Sequence, residues 1–158
     1  MRSAGDARDP ERMKAIRFYR QGDAYGTFSN FSAHPIHVDG VTWPTTEHYF
    51  QAQKFLDPEL QAMIRALPTA GDAAKTGRRR DLPLRADWEA VKEDVMRTAL
   101  HAKFTQHEDA RTLLLSTGDA SLIEHTRNDT YWADGGDGHG LNRLGLLLMD
   151  LRAALRHA

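Results

Sequence analysis

Residues 40–55 of the chain read Gly40-Val41-Thr42-Trp43-Pro44-Thr45-Thr46-Glu47-His48-Tyr49-Phe50-Gln51-Ala52-Gln53-Lys54-Phe55. The first few have the period of a β-strand, and the Asp39-Gly40 pair is a strong hairpin signal. From Thr45 onward the period is helical, because Thr45 or Thr46 can cap the first N–H groups and Glu47 suits the positive end of the helix dipole. The stretch therefore predicts that short strands give way to helices at this point.

Three polar groups share one face of this predicted helix. With 3.6 residues per turn, Glu47, Gln51 and Lys54 lie at roughly 0°, 40° and 340° around its axis. A solvated stripe is the commoner outcome, since charged side chains are mostly at the surface. The aromatic neighbours Trp43 and Phe55 instead favour a partly apolar cleft. In such a cleft Glu47 can stabilise positive charge on a sugar carbon or activate a water, and a desolvated Lys54 can attack an anomeric carbon.

The remaining local signals predict a mostly α member of the α+β class, with its few short strands in the amino-terminal third. Alternation predicts strands at 16–20, 36–38 and 41–43. Capping residues and apolar spacing predict helices over 45–56, 57–68, 72–76, 87–106 and 110–117. Leu122-Ile123 is expected to be a short apolar link, and a closing helix is marked by Leu141, Leu144, Leu148, Leu151 and Leu155.

Length and composition indicate an ordinary globular protein. The chain has 158 residues, of which 41% are hydrophobic and 27% charged, so we expect one domain over 15–158 behind a disordered tail over 1–14. It has no cysteine and no apolar run of membrane-spanning length, and we expect a cytoplasmic protein without a membrane partner. A formal net charge of −1 argues against electrostatic binding of a long nucleic-acid duplex, but not against binding of a small anionic ligand.

A second cluster of candidate groups precedes the closing helix. Residues 134–143 read Asp134-Gly135-Gly136-Asp137-Gly138-His139-Gly140-Leu141-Asn142-Arg143. Glycines let the backbone approach a ligand closely, and a helix N-terminus favours phosphate. A plain flexible connection is an equally good explanation of such a loop. The spacing of its acidic residues does not fit an EF-hand, so we expect no metal.

Other residue types admit a structural and a functional interpretation. A tryptophan on a helix face, such as Trp88, usually packs in a core, and the functional alternative is stacking on a base. The arginines at 78–80 usually form a solvated face, and phosphate recognition is the minority interpretation. The histidines show no metal-binding spacing, so His34, His37 and His48 are expected to be structural or to orient substrate.

These motifs together resemble the NADAR superfamily, in its bacterial YbiA-like branch. The resemblance begins with the aromatic run at 25–31, continues through 35–55 and returns at Asp87-Trp88-Glu89 and at 132–149. It spans roughly residues 16–155. It implies a mostly α fold with few strands, and the activity of an N-glycosidase, a hydrolase that cuts a bond between a ribose and a nitrogen. No cofactor is implied.

The resemblance also implies site residues. Glu47, Lys54 and Asp134 are expected to be catalytic. Glu47 stabilises the sugar cation or positions water, Lys54 forms a transient imine and Asp134 assists proton transfer. The two carboxylates can exchange roles. The resemblance also implies substrate contacts at Trp88 and Trp132. We expect substrate contacts at seven further positions, which are Asn30, Gln51, Arg78, Gly135, Gly136, Gly138 and Asn142.

Three functions remain open from the sequence. The YbiA-like branch implies action on phosphoribosylated aminopyrimidine intermediates of riboflavin biosynthesis, with release of ribose 5-phosphate. Another branch implies removal of ADP-ribose from guanine, in which nucleic acid is only a modified substrate. A non-catalytic module that binds ADP-ribose or a related nucleotide would use the same aromatic and glycine residues. The partner in each case is a ribosyl-phosphate or ADP-ribosyl compound, and the oligomeric state is not indicated.

Overall fold

The computed structural model describes residues 14–157. Almost all of the expected tail over 1–14 lies outside the described residues. The described chain forms two compact units, one over 30–107 and one made of the residues up to 29 together with those from 108 onward. We call them the central unit and the terminal unit. The expectation of a single domain over 15–158 stays a prediction.

The described elements are six α-helices, one 3₁₀ turn and four short strands. In chain order they are β1 (Ala15–Phe18), the 3₁₀ turn (Gly26–Phe28), β2 (Ile36–Val38), β3 (Val41–Trp43), α1 (Thr46–Ala52), α2 (Pro58–Arg65), α3 (Ala70–Gly77), α4 (Trp88–Gln106), α5 (Glu108–Ser116), β4 (Ser121–Glu124) and α6 (Arg143–Arg156). The expected class, α+β and mostly α, is confirmed. Within residues 14–157, no helix is both long and apolar enough to cross a membrane.

The hairpin β2–β3 opens the central unit as the sequence predicts. Its strands are antiparallel, with Ile36 opposite Trp43. The turn residues Asp39 and Gly40 have φ angles of 51° and 81°. Both angles are positive, as a two-residue turn of the primed type requires, so the Asp-Gly pair suits the turn for a steric reason.

Helix α1 is the buried centre of this unit. Thr45 caps it, its side chain accepting a hydrogen bond from the N–H of His48 at 3.0 Å. All seven residues of α1 are buried, and the helix packs against β3, α2, α3 and α4. Polar residues of α1 are therefore enclosed by protein. The surrounding core consists of Ile36, Trp43, Tyr49, Ala52, Phe55, Ile64, Ala73, Ala99 and Ala102.

Several helix boundaries differ from the sequence prediction. Helix α1 ends at Ala52 rather than near residue 56, because the next turn tightens: the N–H of Lys54 bonds to Gln51 and that of Phe55 to Ala52. Helix α3 begins at Ala70, capped by Thr69, rather than at residue 72. Lys54 therefore lies just beyond the helix that was expected to carry it.

The terminal unit contains a strand that the sequence did not predict. Residues 121–124, expected to be a link, form β4 and pair in parallel with β1, Ile16 opposite Leu122. Helix α6 packs directly on β4. A Cβ added at Gly145 would lie 2.0 Å from the carbonyl oxygen of Leu122, so only glycine permits this approach of helix to strand.

Candidate active site

Two members of the predicted polar stripe are joined in the buried helix α1. The side-chain N–H of Gln51 donates to Oε2 of Glu47 at 2.8 Å. Glu47 is 8% exposed and Gln51 is 6% exposed. A buried carboxylate needs hydrogen bonds to offset its lost hydration, and Gln51 supplies one of them. The expected closeness of these two side chains is thus observed.

Asn30 supports the start of α1. The hydroxyl of Thr46 donates to Oδ1 of Asn30 at 2.9 Å, and the N–H of Glu47 donates to the carbonyl oxygen of Asn30 at 3.2 Å. The amide nitrogen of Asn30 contacts Sδ of Met96 at 3.6 Å. Both ends of the Asn30 side chain therefore contact protein and help to position Glu47. Its predicted contact with substrate stays a prediction.

Lys54 extends from the turn after α1 towards the end of α3. Its Nζ donates to the carbonyl oxygen of Gly77 at 3.3 Å. The same nitrogen lies 6.0 Å from the ring centre of Phe50 and 5.9 Å from that of Trp88. Lys54 is half-buried against these aromatic rings. A cation close to ring faces retains some electrostatic stabilisation while it loses water.

The surroundings of Lys54 make its amine easier to deprotonate. Burial lowers the pKa of Lys54 below its ordinary value, and the positive charges of Arg78 and Lys92 act in the same direction. The carboxylates of Glu47 and Glu89 oppose this change without cancelling it. A larger fraction of Lys54 is therefore neutral and nucleophilic near pH 7 than of an exposed lysine.

Trp88 begins α4 and forms one wall beside Lys54. Its ring meets that of Phe50 edge to face, with centroids 5.1 Å apart, and the residue is buried. The loop before it is fixed by Arg85, whose N–H donates to the carbonyl oxygen of Lys54 at 2.9 Å. The guanidinium of Arg85 pairs with Asp87 at 2.6 Å. Packing and contact with a ligand both fit this position, and the predicted stacking role of Trp88 stays a prediction.

A buried acceptor in this cluster has no partner. Among residues 14–157, Oε1 of Gln51 is the buried side-chain polar atom without a hydrogen bond. It faces Gly77, where an added Cβ would lie 1.9 Å away. The orientation of the amide follows from Glu47, whose carboxylate requires the N–H side of Gln51. Gly77 therefore makes room for the carboxamide that holds Glu47.

Arg78 lies on the exposed side of the same cluster. It directly follows α3, and its charge acts on Lys54. The next arginine, Arg79, pairs with Asp81 at 2.6 Å. Arg78 is thus an exposed cation close to the candidate nucleophile, an arrangement that suits a phosphate group. Its predicted role in binding stays a prediction.

In the terminal unit, Asp134 is buried and held by three donors. Its Oδ2 bonds to Nδ1 of His125 at 2.8 Å. Its Oδ1 accepts from the N–H of Gly136 at 2.8 Å and from that of Thr126 at 3.2 Å. Burial acts to raise the pKa of Asp134, but the bonds from His125, Gly136 and Thr126 outweigh it and hold the pKa below its ordinary value. Asp134 is therefore stabilised as an anion, and its expected part in proton transfer stays a prediction.

His125 is a candidate that the sequence analysis missed. It directly follows β4, and its ring pairs with Asp134, nine residues later. No fixed spacing marks such a pair, because it forms only when the loop returns to the end of the strand. The signal available in the sequence was the polar His125-Thr126 step directly after the apolar Leu122-Ile123 pair.

The glycine loop uses most of its N–H groups internally. The N–H of Gly135 donates to the carbonyl oxygen of Asp129, and that of Gly136 to the side chain of Asp134. At the start of α6, the N–H groups of Arg143 and Leu144 donate to the loop carbonyls of residues 131 and 132. These bonds argue against the phosphate site expected at this helix N-terminus. Substrate contacts at Gly135, Gly136 and Gly138 stay predictions.

The side chain of Asn142 joins the loop to β4 through two hydrogen bonds. Its Oδ1 accepts from the N–H of Glu124 at 3.0 Å, and its Nδ2 donates to the carbonyl oxygen of Leu122 at 2.9 Å. The residue has a φ of 50°, a left-handed conformation that asparagine tolerates better than most residues. The structure thus gives Asn142 a structural task, and its predicted contact with substrate stays a prediction.

Trp132 lies half-buried in the same loop. The side chain of Asp129 accepts from the N–H groups of Tyr131 and Trp132, each at 2.8 Å. The two aromatic rings meet edge to face with centroids 4.9 Å apart. Asp129 therefore fixes the backbone that presents Trp132, whose role in holding a base stays a prediction.

The histidines of the central unit have structural partners. The ring of His48 lies between the hydroxyl of Thr45 at 2.8 Å and the carbonyl oxygen of Leu67 at 3.0 Å. His37 contacts Thr42 across the hairpin at 3.0 Å. His34 contacts Ser32 at 3.0 Å. These contacts agree with the structural alternative for all three.

Comparison with known proteins gives a consistent result. The profile of the NADAR domain matches residues 17–156. The chain is 61% identical over 140 residues to N-glycosidase YbiA of Escherichia coli, covering 89% of this chain and 88% of that protein. It is 44% identical over 145 residues to an N-glycosidase of Nostoc punctiforme, covering 90% and 93% of the two chains.

Two further matches concern a longer protein and a solved structure. A riboflavin biosynthesis protein of Vibrio vulnificus is 40% identical over 151 residues, which are 96% of this chain and 41% of that protein. The NMR structure of the Escherichia coli protein YbiA superposes with a TM-score of 0.86 at 58% identity, covering 92% of this chain and 87% of the other. The expected YbiA-like fold is therefore confirmed.

Proposed function

The chain belongs to the NADAR family and is a hydrolase acting on N-glycosyl compounds, and from this premise we propose its substrate and its chemistry. The substrates are phosphoribosylated aminopyrimidine intermediates of riboflavin biosynthesis, and ribose 5-phosphate is released. The names of the relatives support this choice, since they include N-glycosidases and riboflavin biosynthesis proteins. The observation that carries the chemistry is the half-buried amine of Lys54 beside the buried Glu47–Gln51 pair.

Glu47 stabilises the charge that develops on the sugar. Cleavage of a ribosyl C–N bond builds positive charge at the anomeric carbon. A buried carboxylate stabilises that charge more strongly than an exposed one, because little water screens it. The hydrogen bond from Gln51 fixes the carboxylate before the substrate arrives, so no reorganisation is needed at the moment of reaction.

Lys54 captures the sugar as a transient imine. The lone pair of its neutral amine forms a bond to the anomeric carbon, and the bond to the base breaks with its electron pair moving to the departing nitrogen, which takes a proton. The ring oxygen then leaves the anomeric carbon and is protonated, and an imine forms with Lys54. Water adds to the imine, and the amine is released together with ribose 5-phosphate. The lowered pKa of Lys54 favours the first of these steps.

Product analysis combined with borohydride trapping tests the proposal. The purified protein is offered the phosphoribosylated aminopyrimidine and, separately, an oligonucleotide carrying ADP-ribosylated guanine, and base release is followed by mass spectrometry. We expect release from the first substrate. Faster release from the second would assign the ADP-ribosyl activity instead, whereas tight binding of ADP-ribose without release of a base from either substrate would indicate a binding module.

The covalent step is tested in the same reaction. Borohydride should convert the wild-type imine into a stable sugar adduct on Lys54, located by peptide mapping. Lys54→Ala should form no adduct, while Lys75→Ala, which removes an exposed lysine of α3, should form as much as the wild type. Equal adduct formation by Lys54→Ala would show that the imine assignment is wrong.

A further inference from the structure

We propose that Arg85 is a positioning residue for the N-glycosidase reaction, because it fixes the turn that carries Lys54 against the start of α4, where Trp88 lies. This role rests on the proposed function, since it concerns how the amine of Lys54 is presented to the sugar. A nucleophile reacts fast when its geometry is fixed before the substrate binds. Lys54 lies beyond the end of α1, so the helix itself does not fix it.

The turn after α1 leaves two carbonyl groups that need partners from outside the helix. The last carbonyl groups of any α-helix lack partners within it. Those of Gln51 and Ala52 accept from the N–H groups of the two residues 54 and 55 as the turn tightens. The carbonyl oxygens of Gln53 and Lys54 come after these bonds, so other donors must satisfy them.

Arg85 supplies both donors. Its backbone N–H donates to the carbonyl oxygen of Lys54 at 2.9 Å, and its Nη1 donates to that of Gln53 at 3.4 Å. Its own carbonyl oxygen accepts from the N–H of Trp88 at 3.3 Å. One residue thus joins the backbone of the candidate nucleophile to the first residue of α4. All of these residues belong to the central unit.

Asp87 holds the guanidinium of Arg85 in place. Its Oδ1 accepts from Nε of Arg85 at 2.6 Å, and its Oδ2 accepts from Nη2 at 3.0 Å. Two parallel bonds of this kind fix the plane of a guanidinium group, and they leave Nη1 for the carbonyl oxygen of Gln53. The hydrogen bond to Arg85 holds the pKa of Asp87 below its ordinary value, so the carboxylate stays ionised.

The pair between Arg85 and Asp87 takes the place of a helix cap. Asp87 occupies the N-cap position of α4, where an aspartate usually accepts from the first N–H groups of the helix. In the described part of the chain its side chain makes no such bond, and both of its oxygens accept from Arg85. The Asp87 side chain is 52% exposed, so as an ion pair the contact contributes little to stability. Holding the turn of Lys54 explains this arrangement better than stabilising the helix.

Arg85 acts through position rather than through charge. Burial lowers the pKa of Lys54, and among the described residues the groups whose charges also act on it are Glu47, Arg78, Glu89 and Lys92. Arg85 does not belong to this set, and Asp87 balances its charge. If the turn were released, Lys54 could leave the aromatic rings beside it for water, and its pKa would rise. A change of this kind reports the position of the amine in a protein that remains folded.

The experiment compares Arg85→Met, which keeps an apolar side chain but removes every side-chain donor, with the wild type. Competitive acetylation without substrate gives the pH midpoint of Lys54, and borohydride trapping with saturating phosphoribosylated aminopyrimidine gives the single-turnover rate of adduct formation. We expect the midpoint to rise towards the ordinary lysine pKa of about 10.4. The rate should fall roughly 10- to 100-fold, the effect of a small misplacement of a reacting group.

Two further variants make the comparison specific. The control Arg97→Met removes an exposed arginine of α4 that pairs with Asp94 at 2.9 Å, and it should match the wild type in both measurements. Asp87→Ser removes the acceptor of the guanidinium but keeps a residue type that is favoured at the N-cap. It should change the midpoint and the rate in the same directions as Arg85→Met, by smaller amounts. It carries the test alone if circular dichroism shows that Arg85→Met is not folded.

The outcomes separate the role of Arg85 from the proposed function. If the wild type releases base and the folded variants keep its midpoint and its rate, Arg85 has no positioning role and the proposed function stands. A slower rate with an unchanged midpoint of Lys54 would also overturn the positioning role, and so would a raised midpoint with an unchanged rate. No base release by the wild type would contradict the proposed function itself, and the role of Arg85 in the reaction would fall with it.

Discussion

Gln51 donates a hydrogen bond of 2.8 Å to Glu47 one helical turn earlier, and both side chains are buried. This contact helps to hold the carboxylate in a helix that is enclosed by other elements of the central unit. A glutamine in this place adds no charge of its own, so it supports an ionised neighbour without competing for a proton. Glu47 is thus a buried carboxylate that accepts a hydrogen bond from an uncharged side chain.

Gln51→Glu should therefore lower the free energy of unfolding, although it barely changes the shape of the side chain. Two buried carboxyl groups at this distance cannot both ionise, so one of them acquires a raised pKa. Because its folded pKa lies above the unfolded value, the folded state is favoured while this group is protonated, and stability falls as pH rises. We expect a loss of about 2–4 kcal/mol at pH 8 and a smaller loss at pH 5, measured by urea unfolding.

Gln53→Glu is the matched control for that prediction. Gln53 is half-buried just after α1, and its backbone caps the helix. An added carboxylate there can stay hydrated, so the change in unfolding free energy should remain within about 0.5 kcal/mol at both pH values. Equal effects of the two substitutions would show that the contact with Glu47 does not matter.

Gly77→Ala tests the space that the carboxamide occupies. The added Cβ would lie 1.9 Å from Oε1 of Gln51, so the side chain must move and its bond to Glu47 weakens. We expect a cost of about 1–3 kcal/mol, typical of overpacking, together with reduced activity. Gly71→Ala in the same helix meets nothing closer than 3.7 Å and should be neutral or stabilising. Thermal unfolding of both variants would refute this reasoning if they behaved alike.

The local part of this arrangement follows from the sequence, and the tertiary part does not. The hairpin at Asp39-Gly40, the cap at Thr45 and the stripe of Glu47 and Gln51 all depend on residues within a few positions of each other, and each is observed. Gly77 contacts Gln51 only because α3 packs on α1. No pattern in the sequence around Gly77 predicts its contact with Gln51.

The same distinction explains what the sequence did not predict in the terminal unit. Strand β4 has only two strongly apolar residues, and its partner β1 lies near the other end of the chain, so propensity alone did not indicate it. The pairing of His125 with Asp134 depends on that strand and on the loop that returns to it. The glycines of the loop suggested a phosphate site, and the N–H groups of Gly135, Gly136 and Gly140 form hydrogen bonds within the loop that the sequence does not announce.

The lowered pKa of Lys54 predicts its labelling behaviour. Competitive acetylation followed by mass spectrometry gives the pH midpoint of individual amines. We expect the midpoint of Lys54 to lie below the ordinary lysine pKa of about 10.4, because burial disfavours the charged form. Glu47→Gln should lower the midpoint of Lys54 further, since the Glu47 carboxylate acts to raise that pKa. A rise of the midpoint in Glu47→Gln would contradict the assigned electrostatics.

The same shift has a consequence for stability. The folded pKa of Lys54 lies below its unfolded value, so the unfolded chain binds more protons in the interval between the two. This group therefore destabilises the fold at neutral pH, and the penalty disappears as pH rises through the unfolded pKa. Lys54→Met removes the charge and should make unfolding less dependent on pH as the pH rises towards the ordinary lysine pKa of about 10.4. Urea unfolding of the wild type and of Lys54→Met over that rise in pH measures the difference.

Asn142 offers the sharpest separation of a structural role from a binding role. Its amide bonds to the backbone of Leu122 and Glu124, and its φ of 50° is strained for most residues. Asn142→Gly relieves the backbone but loses both bonds, which should cost about 1–3 kcal/mol. Asn142→Ala loses the same bonds and adds about 1–2 kcal/mol of left-handed strain. Urea unfolding should therefore rank wild type above Asn142→Gly and Asn142→Gly above Asn142→Ala.

Substrate kinetics distinguish a structural role of Asn142 from a role in substrate binding. If the amide serves only the fold, both variants should keep the wild-type KM at a temperature where they remain folded, because the substrate loses no contact. If the amide also binds substrate, KM should rise by a similar factor in Asn142→Gly and Asn142→Ala, whatever their stability. The bonds from both ends of the Asn142 amide to β4 lead us to expect an unchanged KM. An equal rise in the two variants would contradict that expectation and return Asn142 to the substrate-binding residues.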